Sequence, residues 1–299
     1  MAKQLTFLPT ILMPEIYRPF IENESFFVSK IEGIAEEGFY KGIEIAGIHD
    51  KANRQKISEI TSSAGLIVTQ WMTAVITEKG LDLSAVNQKS RQYAVSEIIK
   101  NIALAKETGA STIALITGPD PGEGQREKAA ESLVQSLKEI CTEARACGLE
   151  VIVEPLDRHV HKKMFLGPSA ETASILSEVK ESHPNIGFAF DTAHAALNGE
   201  QMEEALEIAS SLISQLHLSN AVLDNRHPIY GDYHIPLGEP GFLTYPKAVG
   251  IVKKAESLGI FTGKSFRISV EVRTNENEDA HYTERVAKEF LKKLLAEEM

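Results

Sequence analysis

The 299-residue chain is 43% hydrophobic, 7% aromatic and 24% charged, the composition of an ordinary globular protein rather than a disordered or fibrous one. Its 31 basic against 42 acidic residues leave a formal charge of −11, which repels phosphate-rich polymers at long range and makes nucleic acid a disfavoured partner. No run approaches the ~20 apolar residues that span a bilayer, and the opening MAKQLTFLPTILMPEIYRPF lacks a basic region followed by an apolar core and cleavage site. The expectation is therefore a cytoplasmic protein with no membrane partner.

Taken in chain order, short apolar runs alternate with long amphipathic stretches. Strands are expected at Leu5–Leu12, Gly42–Ala46, Leu66–Trp71, Thr112–Thr117, Glu150–Glu154, Ile186–Asp191, Ile213–Leu218 and Ile268–Val272. Helical spacing between them places Leu133, Leu137, Ile140 and Ala144 on one core-facing stripe, and Val286, Phe290, Leu291, Leu294 and Leu295 on another. Gly38, Gly65, Gly109, Gly148 and Gly259 each stand where a helix should end before the next strand, a position that favours left-handed backbone. The two cysteines, Cys141 and Cys147, sit inside a helical pattern on different faces and lack metal or redox spacing.

Strand followed by helix, repeated eight times without a linker, predicts parallel strands in one closed α/β barrel. A (β/α)8 TIM barrel occupies ~250 residues, so residues 1–299 are read as a single domain. A doubly wound open sheet is the alternative, but the turn Pro9–Tyr17 holds no GxGxxG and the chain has no GxxxxGK[ST]. The excess length falls partly in residues 219–242, a polar stretch punctuated by Pro228, Gly231, Pro236, Gly238, Pro240 and Gly241. Such a segment after a barrel strand is expected to be an ordered active-site loop.

Barrel active sites form where strands end, and four successive ends carry chemistry. The fifth strand, EVIVEP, ends at Glu154; the sixth, IGFAFDTAH, ends at Asp191 with His194 close behind; the seventh, SQLHLSN, carries His217; the eighth, RISVEVR, carries Glu271. Each polar residue interrupts an apolar run, where a buried carboxylate is costly unless it is paired or bound to a cation. Three carboxylates and one imidazole form a hard, oxygen-rich set suited to Mn²⁺, Mg²⁺ or Co²⁺, with Zn²⁺ also compatible. Taken singly, Glu154 also reads as a solvated loop residue and His217 as a core histidine; the joint placement favours a site.

The set Glu154, Asp191-Thr-Ala-His194, His217 and Glu271, with GIEI at Gly42–Ile45 and GDYHIPLGEPG at Gly231–Gly241, resembles the sugar phosphate isomerase/epimerase superfamily with its xylose isomerase-like TIM barrel. The resemblance covers essentially the whole chain. It implies that Glu154, Asp191, His217 and Glu271 ligate a divalent metal, with Glu154 and Glu271 doubling as the catalytic acid/base pair. A small keto-sugar or sugar derivative would then lose a proton next to its carbonyl and pass through a metal-stabilised enediolate. Return of the proton to the opposite face gives epimerisation, and transfer to the neighbouring carbon gives isomerisation. Loss of a β-hydroxyl would give an inosose-like dehydratase, and a non-catalytic metal- and sugar-binding barrel is the alternative of another class.

The same resemblance assigns His194 to a substrate oxygen. Asp232 and His234 are read as substrate or supporting contacts, with a second metal as the alternative. Arg158 and Arg273 offer bidentate forks for a phosphate or carboxylate, although either would equally pair with a neighbouring carboxylate; Trp71 offers a flat apolar wall for a sugar face or a packed rim residue. The chain departs from ketose 3-epimerases at Val160 and Leu223, where those enzymes carry glutamate and arginine. It departs from AP endonucleases at the third and fourth strand ends, TQWM and ITGPDPG, which lack the needed histidines and lie near Asp120 and Glu123. Nuclease activity is not expected; a homo-oligomer is left open.

Overall fold

The computed structural model describes residues 7–261 and 266–297. Eight parallel strands close on themselves in the order of the chain: β1 Leu8–Leu12, β2 Gly42–Ile45, β3 Ile67–Trp71, β4 Thr112–Leu115, β5 Glu150–Val153, β6 Ile186–Asp191, β7 Ile213–Ser219 and β8 Arg267–Glu271. Pairing of β1 with β8, Leu8 opposite Arg267, completes the ring. All eight expected strands are present, the sixth with the expected bounds and the others with an end shifted by at most three residues; of the first, Leu5 and Thr6 lie outside the described residues.

Each strand is followed by an outer helix, from Glu24–Glu37 after β1 to Ala280–Leu295 after β8. Gly38 and Gly65 end two of these helices at φ of 69° and 66°, left-handed values that glycine adopts without a Cβ penalty. Leu133, Leu137, Ile140 and Ala144 are fully buried, as the periodicity requires. The last helix differs from expectation. Its buried stripe is Ala280, Ala287, Leu291 and Leu294, while Val286 faces solvent at 46% exposure. The other expected residues hold the face: Leu291 and Leu294 are buried, Phe290 and Leu295 pack half-buried against the core, and Ala287 takes the place expected of Val286.

Two separate apolar layers follow from strand alternation. Outward residues such as Ile43, Ile45, Val68, Ile113, Leu115, Val151, Val153, Leu216 and Ile268 pack with the helices in the main core. Inward residues Leu12, Trp71, Ala114, Ile152 and Ala189 form a second, smaller cluster inside the ring. The remaining inward positions are polar and buried: Thr10, Glu44, Thr69, Thr112, Gln215, Arg267 and Ser269. The barrel axis is thus a polar column flanked by a few apolar side chains, and it leads upward to the C-terminal strand ends.

The segment between β7 and the helix Tyr245–Ser257 folds over that end. Asn220 stitches it: its Nδ2 donates to the carbonyls of Pro236 and Gly238, both at 2.8 Å, and its Oδ1 accepts the Leu243 N–H at 2.7 Å. A Cβ on Gly241 would sit 2.2 Å from the Asn220 amide, so this close approach requires glycine. Bridges of Val222 with Tyr230 and Gly231 close the other half of the segment.

Candidate metal centre

Glu154 lies one residue beyond β5, Asp191 ends β6, His217 lies in β7 and Glu271 ends β8. The register puts Asp191 opposite His217 and Ser219 opposite Glu271, so the side chains approach from neighbouring strands at one level. One ligand atom from each of the four residues lies within 4.8 Å of every other, and all four residues are buried. His217 Nδ1 is 2.8 Å from Glu271 Oε2 and 3.3 Å from Glu154 Oε1.

Polar bookkeeping inside the cluster is incomplete in a specific way. Asp191 Oδ1 caps the short helix Thr192–Leu197 by accepting the His194 N–H, but Asp191 Oδ2 is buried with no hydrogen-bond donor, as is Glu154 Oε1. Buried oxygens without partners are rare and energetically expensive. Burial pushes the Glu154 carboxyl above its ordinary range, and the Glu271 charge adds to the rise. Burial likewise lifts Asp191 well above the usual carboxylate range, with the charges of Glu271 and Glu154 reinforcing it. For Glu271 burial acts in the same direction, yet the His234 and His217 imidazoles outweigh it and hold the group well below its ordinary value. Three buried carboxylates cannot all ionise at this separation without further positive charge, so orphaned oxygens and donor chemistry both fit a divalent cation.

A second group of side chains adjoins the first. His194 is buried, and its Nδ1 lies 3.2 Å from the Asp157 backbone nitrogen and 3.5 Å from Asp157 Oδ2. Its Nε2 faces Asp232 Oδ2 at 3.8 Å, beyond hydrogen-bond reach. His234, in the left-handed region at φ 51°, lies between Asp232 and Glu271, its Nε2 3.2 Å from Asp232 Oδ2 and its Nδ1 2.9 Å from Glu271 Oε1. Lys162 completes the group with Nζ 3.0 Å from Asp232 Oδ2. Burial would raise the Asp232 carboxyl, but the charges of His194, His234 and Lys162 hold it below its ordinary range.

The remaining sequence-nominated residues divide. Trp71 stands at the mouth, its ring centroid 5.3 Å from that of His217 and its Nε1 donating to Glu44 at 2.8 Å. Arg158 is engaged elsewhere: its Nε donates to the Phe165 carbonyl at 3.1 Å and its terminal nitrogen pairs with Glu171 at 2.5 Å. Arg273 lies two residues past the end of β8 and pairs bidentately with Glu15, at 2.6 and 3.1 Å. Both arginines therefore adopt the carboxylate pairing that the sequence left as an alternative to substrate contact.

Sequence reasoning by residue type at the strand ends passed over Glu44, Gln215, Asp157, Lys162 and Glu15. Glu44 had a local signal, a carboxylate in the middle of the apolar strand GIEI. It is completely buried, and burial alone would raise its carboxyl, but the His217 charge holds it below the ordinary range. Asp157 is also fully buried; it accepts backbone N–H groups of Val160, His161 and Lys162 and so shapes the loop after β5.

Residues 31–294 match the family model of the xylose isomerase-like TIM barrel. The chain belongs to that family. A search of curated protein sequences returned no match. Among solved structures the chain is similar to the IOLI protein with a bound zinc atom, at 15% identity and a TM-score of 0.73, over 97% of this chain and 98% of that one. It is similar to D-psicose 3-epimerase with D-tagatose from Clostridium cellulolyticum H10, at 16% identity and a TM-score of 0.66, over 96% and 98% of the two chains. It is also similar to the 3-keto-D-glucoside 4-epimerase YcjR from E. coli, at 16% identity and a TM-score of 0.62, over 98% and 100%. At these identities the likeness is one of fold. No helix among the described residues is long and apolar enough to cross a membrane.

Proposed function

We propose that this protein is a divalent-metal-dependent isomerase or epimerase acting on a small keto-sugar or sugar derivative. The observation that carries the reading is the convergence of Glu154, Asp191, His217 and Glu271 from four successive strand ends, with buried oxygens on Glu154 and Asp191 that have no donor. Sugar epimerases and a zinc-containing protein among the similar folds support it. The oxygen-rich set suits Mn²⁺, Mg²⁺ or Co²⁺, and Zn²⁺ is compatible.

When bound, the cation would draw electron density from the substrate carbonyl and so acidify the adjacent C–H. The protein's own residues do the rest. Glu154 and Glu271 reach the cluster from β5 and β8, three strands apart on the ring. One carboxylate removes the proton and the other returns it from the opposite side of the planar intermediate, which inverts the carbon. His194 offers its Nε2 to a substrate oxygen, and the His234 imidazole beside Glu271 steadies that carboxylate in its charged form. Trp71 supplies an apolar wall at the mouth.

Metal-loaded protein incubated with keto-sugars and inososes in deuterium oxide tests this. Deuterium should enter the carbon next to the carbonyl, and Glu154→Gln and Glu271→Gln should each abolish incorporation while the fold survives. Unchanged incorporation in both folded variants overturns the acid/base assignment. Loss of water from the substrate would make the same site a dehydratase, and tight sugar binding without exchange would make it a binding protein.

A further inference from the structure

His217 stands between carboxylates on opposite edges of its ring. Nδ1 faces the cluster, while Nε2 faces down the barrel axis and lies 2.9 Å from Glu44 Oε2. The same Oε2 receives the Trp71 indole N–H at 2.8 Å. An indole nitrogen only donates, so Glu44 Oε2 is an acceptor. Two bare acceptors at 2.9 Å in a dry interior would repel each other, so His217 Nε2 must carry the hydrogen. By the same reasoning Nδ1, 2.8 Å from Glu271 Oε2, carries a hydrogen in the metal-free protein, the one that a cation held at that edge would replace.

The Gln215 amide nitrogen donates to the same Glu44 Oε2 and lies 2.9 Å from His217 Nε2, so the amide, the ring edge and the carboxylate oxygen meet at one point. Thr10 donates to the other carboxylate oxygen at 3.2 Å. Deeper in the barrel the buried guanidinium of Arg267, held by the hydroxyls of Thr69 and Thr112 at 2.8 and 3.1 Å, contributes favourable charge to Glu44. A fully buried carboxylate is thus equipped with donors from β1, β3 and β7, and the one donor that also belongs to the cluster is His217. The adjoining inward residues Leu12, Ala114, Ile152 and Ala189 form an apolar layer, so the carboxylate is confined to these few polar partners.

We infer that Glu44 is a positioning residue for the metal centre: by accepting the Nε2–H of His217 it selects the tautomer and ring orientation that present Nδ1 to the cation. The inference rests on the metal reading proposed above. An outer carboxylate of this kind also raises the basicity of the imidazole, and losing one typically weakens metal binding roughly 10–100-fold.

Two measurements test it. In Zn²⁺-loaded protein labelled with ¹⁵N-histidine, His217 should show a hydrogen on Nε2 and metal on Nδ1; the reverse tautomer overturns the inference without any variant. In Co²⁺ titrations, Glu44→Gln should weaken binding roughly 10–100-fold and change the visible absorption of the bound ion, with the metal-free variant still folded by circular dichroism. Wild-type affinity and spectrum in a folded Glu44→Gln protein overturn the positioning role while leaving the metal reading intact. If wild-type protein binds neither Zn²⁺ nor Co²⁺, both fall together.

Discussion

Asp191 divides its two carboxylate oxygens between unlike duties: Oδ1 accepts the backbone N–H of His194 at 2.8 Å, and Oδ2 is left buried without a donor, within the cluster. One oxygen belongs to the helix that follows β6 and the other to the candidate metal centre. The cap fixes the carboxylate plane, which determines where the free oxygen points.

Asparagine caps a helix about as well as aspartate, so Asp191→Asn should keep the capping bond and lose the charge. The expected outcome is a protein that stays folded but binds Mn²⁺ or Co²⁺ more weakly by over roughly 100-fold, beyond the usual effect of losing an outer partner. Chelator competition measures the affinity. Wild-type affinity in this variant would remove Asp191 from the ligand set.

The same substitution has a pH signature in metal-free protein. The Asp191 carboxyl is raised well above its ordinary value by burial and by the Glu271 and Glu154 charges. A folded-state pKa above the unfolded one means that the native state binds the proton more tightly. The group's contribution to stability is therefore present at low pH and is lost as pH rises above about 4, its unfolded value. Asp191→Asn has no such loss, so its melting temperature relative to wild type should climb between pH 4 and pH 8 when chelator is present. Added divalent metal should reverse the order at neutral pH by stabilising only the wild type. Thermal unfolding with and without chelator decides the matter; a difference that does not vary with pH sinks it.

Arg158 separates a structural role from a substrate contact. Its guanidinium donates to the Phe165 carbonyl and pairs with Glu171, which tethers the loop after β5 to the helix Ser169–Lys180. Arg158→Ala should destabilise the protein by about 1–3 kcal/mol, the usual consequence of leaving a buried acceptor unsatisfied. KM for an accepted sugar should stay within about twofold if the side chain makes no ground-state contact. A large rise in KM without loss of stability would return Arg158 to the substrate site.

Asp157 makes the opposite pH prediction. Burial opposes its ionisation, but the hydrogen bonds with His194 and with the backbone N–H groups of His161 and Lys162 hold its carboxyl well below the ordinary range. A depressed folded-state pKa stabilises the native protein above the unfolded value of about 4, and that contribution is lost as pH falls. Asp157→Ala should therefore lower the melting temperature at pH 7 more than at about pH 3, below the unfolded value, where the contribution is being lost. An equal loss at both pH values would show that packing, not the ionised carboxylate, holds this loop.

Much of the architecture was legible because it is local. A strand shows a short apolar run, a helix shows its stripe, and left-handed glycines mark where one gives way to the other. Chain order alone then placed Glu154, Asp191, His217 and Glu271 at the ends of four successive strands, and the structure brings those four within 4.8 Å. Val286 shows the weakness of the same reasoning, since an apolar residue near a stripe is not always on it: it is 46% exposed while its neighbour Ala287 is buried.

By itself the sequence determined the alternation of strands and helices, and with it the level at which the polar strand ends would meet. Only the tertiary structure decided which residues face each other across the ring. Glu44 reaches His217 over 173 positions of chain, and Arg158 and Arg273 turn to Glu171 and Glu15 instead of to the cluster. The reason is geometric. Strand alternation sets whether a side chain points inward, whereas closure of the barrel and the course of its loops set what it meets there, and a local pattern carries no record of that distance.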